Sequence, residues 1–309
     1  MKPSPFTYHR PGTTEAAVGL LTELGTDAKV LAGGQSLVPL LNMRLAAPPH
    51  LVDINQLQEL NYVRATGTSP DGAGPAVVVG AAARHADVER DPAAHQALPL
   101  LRRALRHVAH PTIRNRGTTV GSIVHADPAG EMTAVLALLD GSVELRSANG
   151  SRRVGAADFF VGPLESAAEP GELAVSATFP VPPGQTGTAW LEVARRHGDY
   201  AVCGVGALVT VDADHRVVGA RAAYISVDTT PVVLDLLDAV GTGPADTADW
   251  SAAGRLAAST LRPDADIHAT AEYRRHLAAV LTGRALTAAA LDARGRGVNH
   301  HTGETEETA

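Results

Sequence analysis

The residues whose types and order could hold a ligand are Ala32-Gly33-Gly34-Gln35-Ser36. An apolar run, Lys29 to Ala32, ends at two glycines, and a short helical pattern, Leu37 to Leu45, opens beside Ser36. Glycines allow close backbone approach and unusual φ angles. N–H groups left unpaired where a helix starts favour an anion such as phosphate, and Ser36 can add a hydroxyl donor. The same residues serve equally well as a structural turn with Ser36 as N-cap. Spacing alone leaves both readings open.

A second candidate is Arg116-Gly117-Thr118-Thr119-Val120-Gly121-Ser122, rich in small residues and hydroxyls. Such a loop can place amides around a phosphate, and taken alone it reads as a polar connection between two helices. Two such loops together suit a dinucleotide such as FAD, whose pyrophosphate needs many donors and can be gripped from both sides. Other chemistries lack their residues. Neither Gly33-Gly34 nor Gly204-Val205-Gly206 carries the third glycine of a Rossmann turn, and no Walker lysine follows either. The 13 histidines are scattered, without metal-ligand spacing. No nucleophile elbow is present. His125 reads as an ordinary loop histidine. Asp127 is explained as the N-cap of a following helix.

The elements that must position these loops alternate. A helix is expected over Thr13–Leu24, stopped by Gly25, then strands over Lys29–Ala32 and Leu51–Ile54 around the 37–45 helix. Residues 66–75 read as a loop and Val77–Ala81 as a strand. One helix is expected over Ala94–Val108, stopped by Pro111. Residues 112–127 read as a loop, and Pro128–Leu139 as a helix with Asp127 as cap and Pro128 at its first position. Strands follow at Ser142–Arg146 and Leu173–Phe179. The Pro- and Gly-rich stretch 180–187 is the candidate linker. Beyond it come strands at 189–193, 201–211 and 220–227, and helices at 231–240, 248–260 and 270–281. Residues from about 295 to 309 are polar and acidic and are expected to be disordered. The mixture without strict βαβ rhythm indicates an α+β fold.

Bulk properties narrow the function. The chain has 309 residues, enough for two or three domains. Its net charge of −7 and lack of a basic run argue against nucleic acid. Its single cysteine, Cys203, allows no internal disulfide. An iron–sulfur cluster takes about four Cys ligands, so this chain cannot hold one by itself. The apolar runs are shorter than a membrane span, the N-terminal residues lack a signal-peptide pattern, and a cytoplasmic location is expected.

The ordered motifs resemble the FAD-binding medium subunits of the xanthine dehydrogenase and carbon monoxide dehydrogenase (molybdenum hydroxylase) family. The resemblance rests on Leu31 to Pro39, Leu51-Val52-Asp53-Ile54, Arg114 to Ser122 with His125-Ala126-Asp127-Pro128, Arg195 to Ala201, and the opening Phe6, Tyr8, His9, Arg10 and Pro11. It implies a two-lobed vanillyl-alcohol-oxidase-like (PCMH-type) FAD-binding domain over 1–179, with lobes of about 1–58 and 59–179. A carbon monoxide dehydrogenase flavoprotein C-terminal domain follows over 188–290, and 291–309 would be a disordered tail. It implies noncovalent FAD, with Ala32, Gly33, Gly34, Gln35 and Ser36 on one side of the pyrophosphate. Thr118, Thr119, Gly121 and Ser122 would lie on the other, with Asp127 near the cofactor and Tyr200 near the isoalloxazine ring. No catalytic residue or metal ligand is assigned. The implied partners are a small subunit with [2Fe–2S] clusters and a large molybdopterin subunit, in a dimer of heterotrimers that feeds electrons to FAD and on to an external acceptor. One departure stands out: Thr119-Val120 replaces the pair that ends in the family's first glycine, and a branched residue resists positive φ. Two alternatives follow: a free-standing FAD oxidoreductase with its own substrate site, and a module that has lost its cofactor at Val120.

Overall fold

A computed structural model describes residues 2–301, with side chains described to 295. The chain forms two compact units, Met1–Asp127 with Leu139–Val181, and Pro128–Leu138 with Pro182–Ala309.

The first unit opens with β1 (Thr7–His9), α1 (Thr14–Leu24), β2 (Ala28–Leu31), α2 (Leu37–Met43) and β3 (His50–Asp53). The strands form a parallel sheet in the order β1-β3-β2. α1 forms where expected: the Thr13 hydroxyl accepts from Ala16 N at 3.1 Å, Ala17, Val18 and Leu21 are buried, and Gly25 closes it at φ 53°. The next elements are β4 (Val63–Thr66), β5 (Ala76–Gly80), α3 (His85–Arg90), α4 (Pro92–Ala97), α5 (Pro99–Leu105), α6 (Pro111–Arg114) and α7 (Thr119–His125). After α8 (Glu131–Leu138), which belongs to the second unit, come β6 (Ser142–Ser147), β7 (Gly150–Gly155), α9 (Ala156–Phe159), β8 (Phe160–Gly162), β9 (Glu165–Ser166) and β10 (Leu173–Pro180). A five-stranded antiparallel sheet, β4-β5-β10-β6-β7, carries the main core, with Val77, Val79, Val143, Leu145, Ala177 and Phe179 fully buried.

Three expectations fail here for local reasons. The helix expected over 94–108 is two helices, because Pro99 lacks an N–H and forces Leu98 out of helical geometry (φ −144°, ψ 77°). Residues 112–127 are not one loop but hold α6 and α7; Pro111 begins the first, and the Thr118 hydroxyl caps the second by accepting from Gly121 N at 3.2 Å. Asp127 does not cap α8, which starts at Glu131 after a turn through Pro128 and Ala129. Ala126, left-handed at φ 53°, ends α7 just before it.

The second unit is a four-stranded antiparallel sheet of β11 (Gln185–Ala194), β12 (Ala201–Val211), β13 (Val217–Ile225) and β14 (Val232–Asp235), with α8, α10 (Leu237–Val240), α11 (Trp250–Thr260) and α12 (Ala271–His301). The expected 231–240 helix is split between β14 and the short α10: Val232 and Val233 suit a strand and pair with Tyr224 and Ala223 of β13. α12 runs well past 281 and past the expected boundary at 290, because Ala285, Leu286, Ala289, Ala290 and Ala293 continue a buried stripe. Gly187 on β11 allows that contact, since a β-carbon there would stand 2.8 Å from Ala293 Cα. The disordered tail expected from 291 is therefore helical as far as His301, and 302–309 lie outside the described residues. Gly204 and Gly206 lie inside β12 as packing positions; a β-carbon at Gly206 would stand 3.0 Å from the Trp190 ring. No helix among the described residues is long and apolar enough to cross a membrane.

Candidate functional site

The first segment leaves β2 and turns sharply at Gly34, whose φ of 74° suits glycine. The turn is internally braced. Gln35 Nε2 donates to Gly33 O at 3.0 Å, and Val38 N donates to Gly34 O at 2.9 Å as α2 begins. Among the described residues, the main-chain N–H groups of Gly33, Gly34, Gln35 and Ser36 find no protein acceptor, and Ser36 makes no capping bond. Three of these residues, Gly33, Gly34 and Gln35, line a cleft of about 380 Å³, together with Ala32, Asn55 and Arg116 among others.

The second segment forms the facing wall. Gly33 touches it backbone to backbone: a β-carbon at 33 would stand 2.6 Å from Gly117 Cα and would overlap the Arg116 carbonyl. At Gly121 a β-carbon would lie 3.8 Å from that of Ala32. Both segments therefore meet at one cleft in the first unit. The hydroxyls within the second segment are mostly engaged by the protein. Thr118 caps α7, and Thr119 Oγ1, fully buried, lies 3.2 Å from His85 Nδ1. His85 N donates to Gly117 O at 2.9 Å, so α3 and this segment are tied at two points. Burial, with a smaller push from Arg114, lowers the His85 imidazole to about 4. It is neutral near pH 7, as suits a ring shared with a threonine hydroxyl. Ser122 is half-buried on α7. Val120 is helical and buried (1% exposed), without positive φ. Arg114, prominent in the sequence motif, is buried in structural bonds to Glu89 Oε2 (2.8 Å) and to the Val108 and Ala109 carbonyls.

A polar chain joins the two walls. Tyr8 OH donates to Asp53 Oδ2, Asn55 N donates to Asp53 Oδ1 at 2.8 Å, and Asn55 Nδ2 donates to Ala32 O at 2.8 Å. Arg84 closes it, with Nη2 donating to Asn55 Oδ1 and Nη1 to Arg116 O, each at 2.6 Å. Sequence reading missed Asn55 and Arg84 as site residues, and placed Arg116 in the second segment without a role of its own. Only the register of Asp53 with Leu31, which brings 53–55 beside the first turn, reveals Asn55.

Two expected positions lie apart from these walls in sequence. Asp127 is half-buried, and its charge partly offsets the burial that lowers the His125 imidazole. Tyr200 belongs to the second unit, is 68% exposed, and follows a turn in which Asp199 N donates to Arg196 O at 3.1 Å. Cys203 is buried in β12, and burial pushes its thiol up to about 12. Among the described residues no group of three or more His, Cys, Asp or Glu could hold a metal.

The residues fit a dinucleotide. Four unpaired amides, a turn closed by a left-handed glycine and a guanidinium at the rim are suited to a diphosphate and leave space beside it. Comparison with known proteins agrees. Residues 4–182 match the family model described as the FAD binding domain in molybdopterin dehydrogenase, and residues 188–289 match the CO dehydrogenase flavoprotein C-terminal domain. The chain is 37% identical to the 6-hydroxypseudooxynicotine dehydrogenase complex subunit alpha of Paenarthrobacter nicotinovorans, covering 94% of this chain and 96% of that one. It is also 37% identical to the carbon monoxide dehydrogenase medium chain of Afipia carboxidovorans, covering 93% and 97%. A solved carbon monoxide dehydrogenase from Hydrogenophaga pseudoflava superposes with a TM-score of 0.85 at 34% identity, covering 94% of this chain and 98% of that one. With both halves matched in order, the chain belongs to the FAD-binding medium subunits of the molybdenum hydroxylase-type dehydrogenases, a family of oxidoreductases.

Proposed function

We propose that this chain is the electron-relay subunit of a molybdenum hydroxylase complex. It holds FAD noncovalently in the cleft between the two segments, takes electrons from [2Fe–2S] clusters on a small partner and passes them to an external acceptor. The molybdopterin and the oxidised substrate belong to a large partner. The observation that carries the reading is the set of unpaired amides from Gly33 to Ser36 facing the 116–121 wall. When bound, the flavin supplies the redox chemistry, and the protein supplies binding and orientation. Amides of 33–36 receive the diphosphate, while the Tyr8–Asp53–Asn55–Arg84 chain holds their turn against the second wall. Thr118 and Thr119 act here through their bonds to Gly121 and His85, which shape that wall. Gly121 and Ser122 line it, and Asp127 and Tyr200 contact the cofactor beyond the diphosphate.

The single, buried cysteine supports placing the clusters on another chain. The relatives' names, a complex subunit alpha and a medium chain, support a multi-subunit setting. A cytoplasmic dimer of heterotrimers is the assembly we expect. The test is the composition of the complex co-purified with the tagged chain. The expected content is roughly one molybdenum, four iron and one FAD per copy of this chain, as two [2Fe–2S] clusters require. A chain that carries FAD but brings down neither metal contradicts the relay and favours a free-standing flavin oxidoreductase.

A further inference from the structure

Arg116 lines the cleft, and Arg84 braces it from behind. Arg84 Nη1 donates to the carbonyl of Arg116, so one arginine fixes the backbone of the other. Arg84 is half-buried, and its Nη2 donates to Asn55 Oδ1. The nearby carboxylate of Asp53 already accepts from Tyr8 OH and from Asn55 N and Nδ2. Asp87 accepts from the Arg84 main chain. The Arg116 guanidinium, at the cleft rim, has no ion pair or hydrogen bond among the described residues. Loss of charge from Arg84 is promoted first by burial and next by Arg116, so the two cations repel. The charges of Asp87 and Asp53 offset part of this at Arg84. Gly33, Gly34 and Gln35, whose amides are unpaired, line the same cleft.

We propose that Arg116, positioned through its carbonyl by Arg84, supplies the charged contact to the diphosphate and so makes the cleft select a dinucleotide over an uncharged flavin. This rests on the FAD reading above. Arg116 is the binding group and Arg84 the positioning residue. The amides give direction and fit, while the guanidinium gives a bond whose strength depends on ligand charge and ionic strength.

The test uses the full-length chain stripped of flavin, titrated by fluorescence with FAD, ADP and riboflavin at low and high salt. Arg116→Gln is expected to weaken FAD and ADP by roughly ten- to a hundredfold, the loss expected for a charge-assisted hydrogen bond, and to flatten the salt dependence of both. Riboflavin binding stays unchanged. Arg116→Lys, which keeps the charge but not the fork, is expected to retain the salt dependence with weaker binding. Equal FAD binding by wild type and Arg116→Gln at both salt concentrations overturns the proposal. So does equal loss of FAD and riboflavin with an unchanged salt dependence. A wild-type chain that binds none of the three overturns the FAD reading itself, and the proposal with it.

Discussion

At the scale of single residues, the cleft depends on what is missing as much as on what is present. Gly33 has no side chain because its neighbour is the Gly117 backbone. Gly33→Ala should therefore push the walls apart, destabilise the chain by about 1–3 kcal/mol as overpacking does, and lower bound flavin. Gly19, on α1, has open space around its α-carbon, so Gly19→Ala should stabilise by up to about 1 kcal/mol with flavin unchanged. Denaturant midpoints and flavin content of both variants check the contrast; equal effects would contradict the close approach. His85 makes the second wall sensitive to acid. Its folded value of about 4 lies below the ordinary imidazole value of about 6.5. Between those values the unfolded chain binds a proton that the folded chain does not. The stability tied to the neutral ring is thus complete above about pH 6.5 and falls as pH drops toward 4, by on the order of 3 kcal/mol. His85→Asn should be less stable at pH 7 yet lose less between pH 7 and 5. Parallel pH profiles would rule this out.

At the scale of elements, legibility followed locality. α1 could be read from Thr13, its i, i+4 stripe and Gly25, all within one helix. The helix expected across Leu98 is broken by the adjacent Pro99, which lacks an N–H and turns Leu98 out of helical geometry. Residues 119–125 looked like a loop because Thr, Val and Gly are poor helix formers. Their helix depends on the Thr118 cap and on burial of Val120 and Ile123, which only the packed structure supplies. The same result removes the difficulty at Val120. It lies on the buried face of α7, where glycine is not needed. Val120→Gly should cost about 2–4 kcal/mol, from lost apolar burial and helix propensity together, and should weaken flavin retention. A gain in flavin on that substitution would revive the reading of Val120 as an obstruction. Of the candidate site, the two backbone segments could be read from glycine and small-residue runs. Asn55 and Arg84 could not, because they enter through strand register and a bond spanning 29 residues.

At the scale of the whole molecule, one buried cysteine cannot by itself supply the ligands of an iron–sulfur cluster. Both matched halves, 4–182 and 188–289, fall on either side of the proline-rich stretch near 180–187. Division by packing is less simple than division by sequence, since α8 belongs with the second unit. That helix is buried all round, at Met132, Thr133, Ala134, Val135, Leu136 and Leu138, so its sequence has no polar face to mark a boundary. The central claim is that this chain itself holds FAD in the cleft of the first unit. The most direct measurement is the flavin released by acid from the purified full-length chain. The purified chain is expected to be yellow and to release roughly one FAD per chain, as one noncovalent dinucleotide site requires. A colourless chain that also fails to take up added FAD would contradict it.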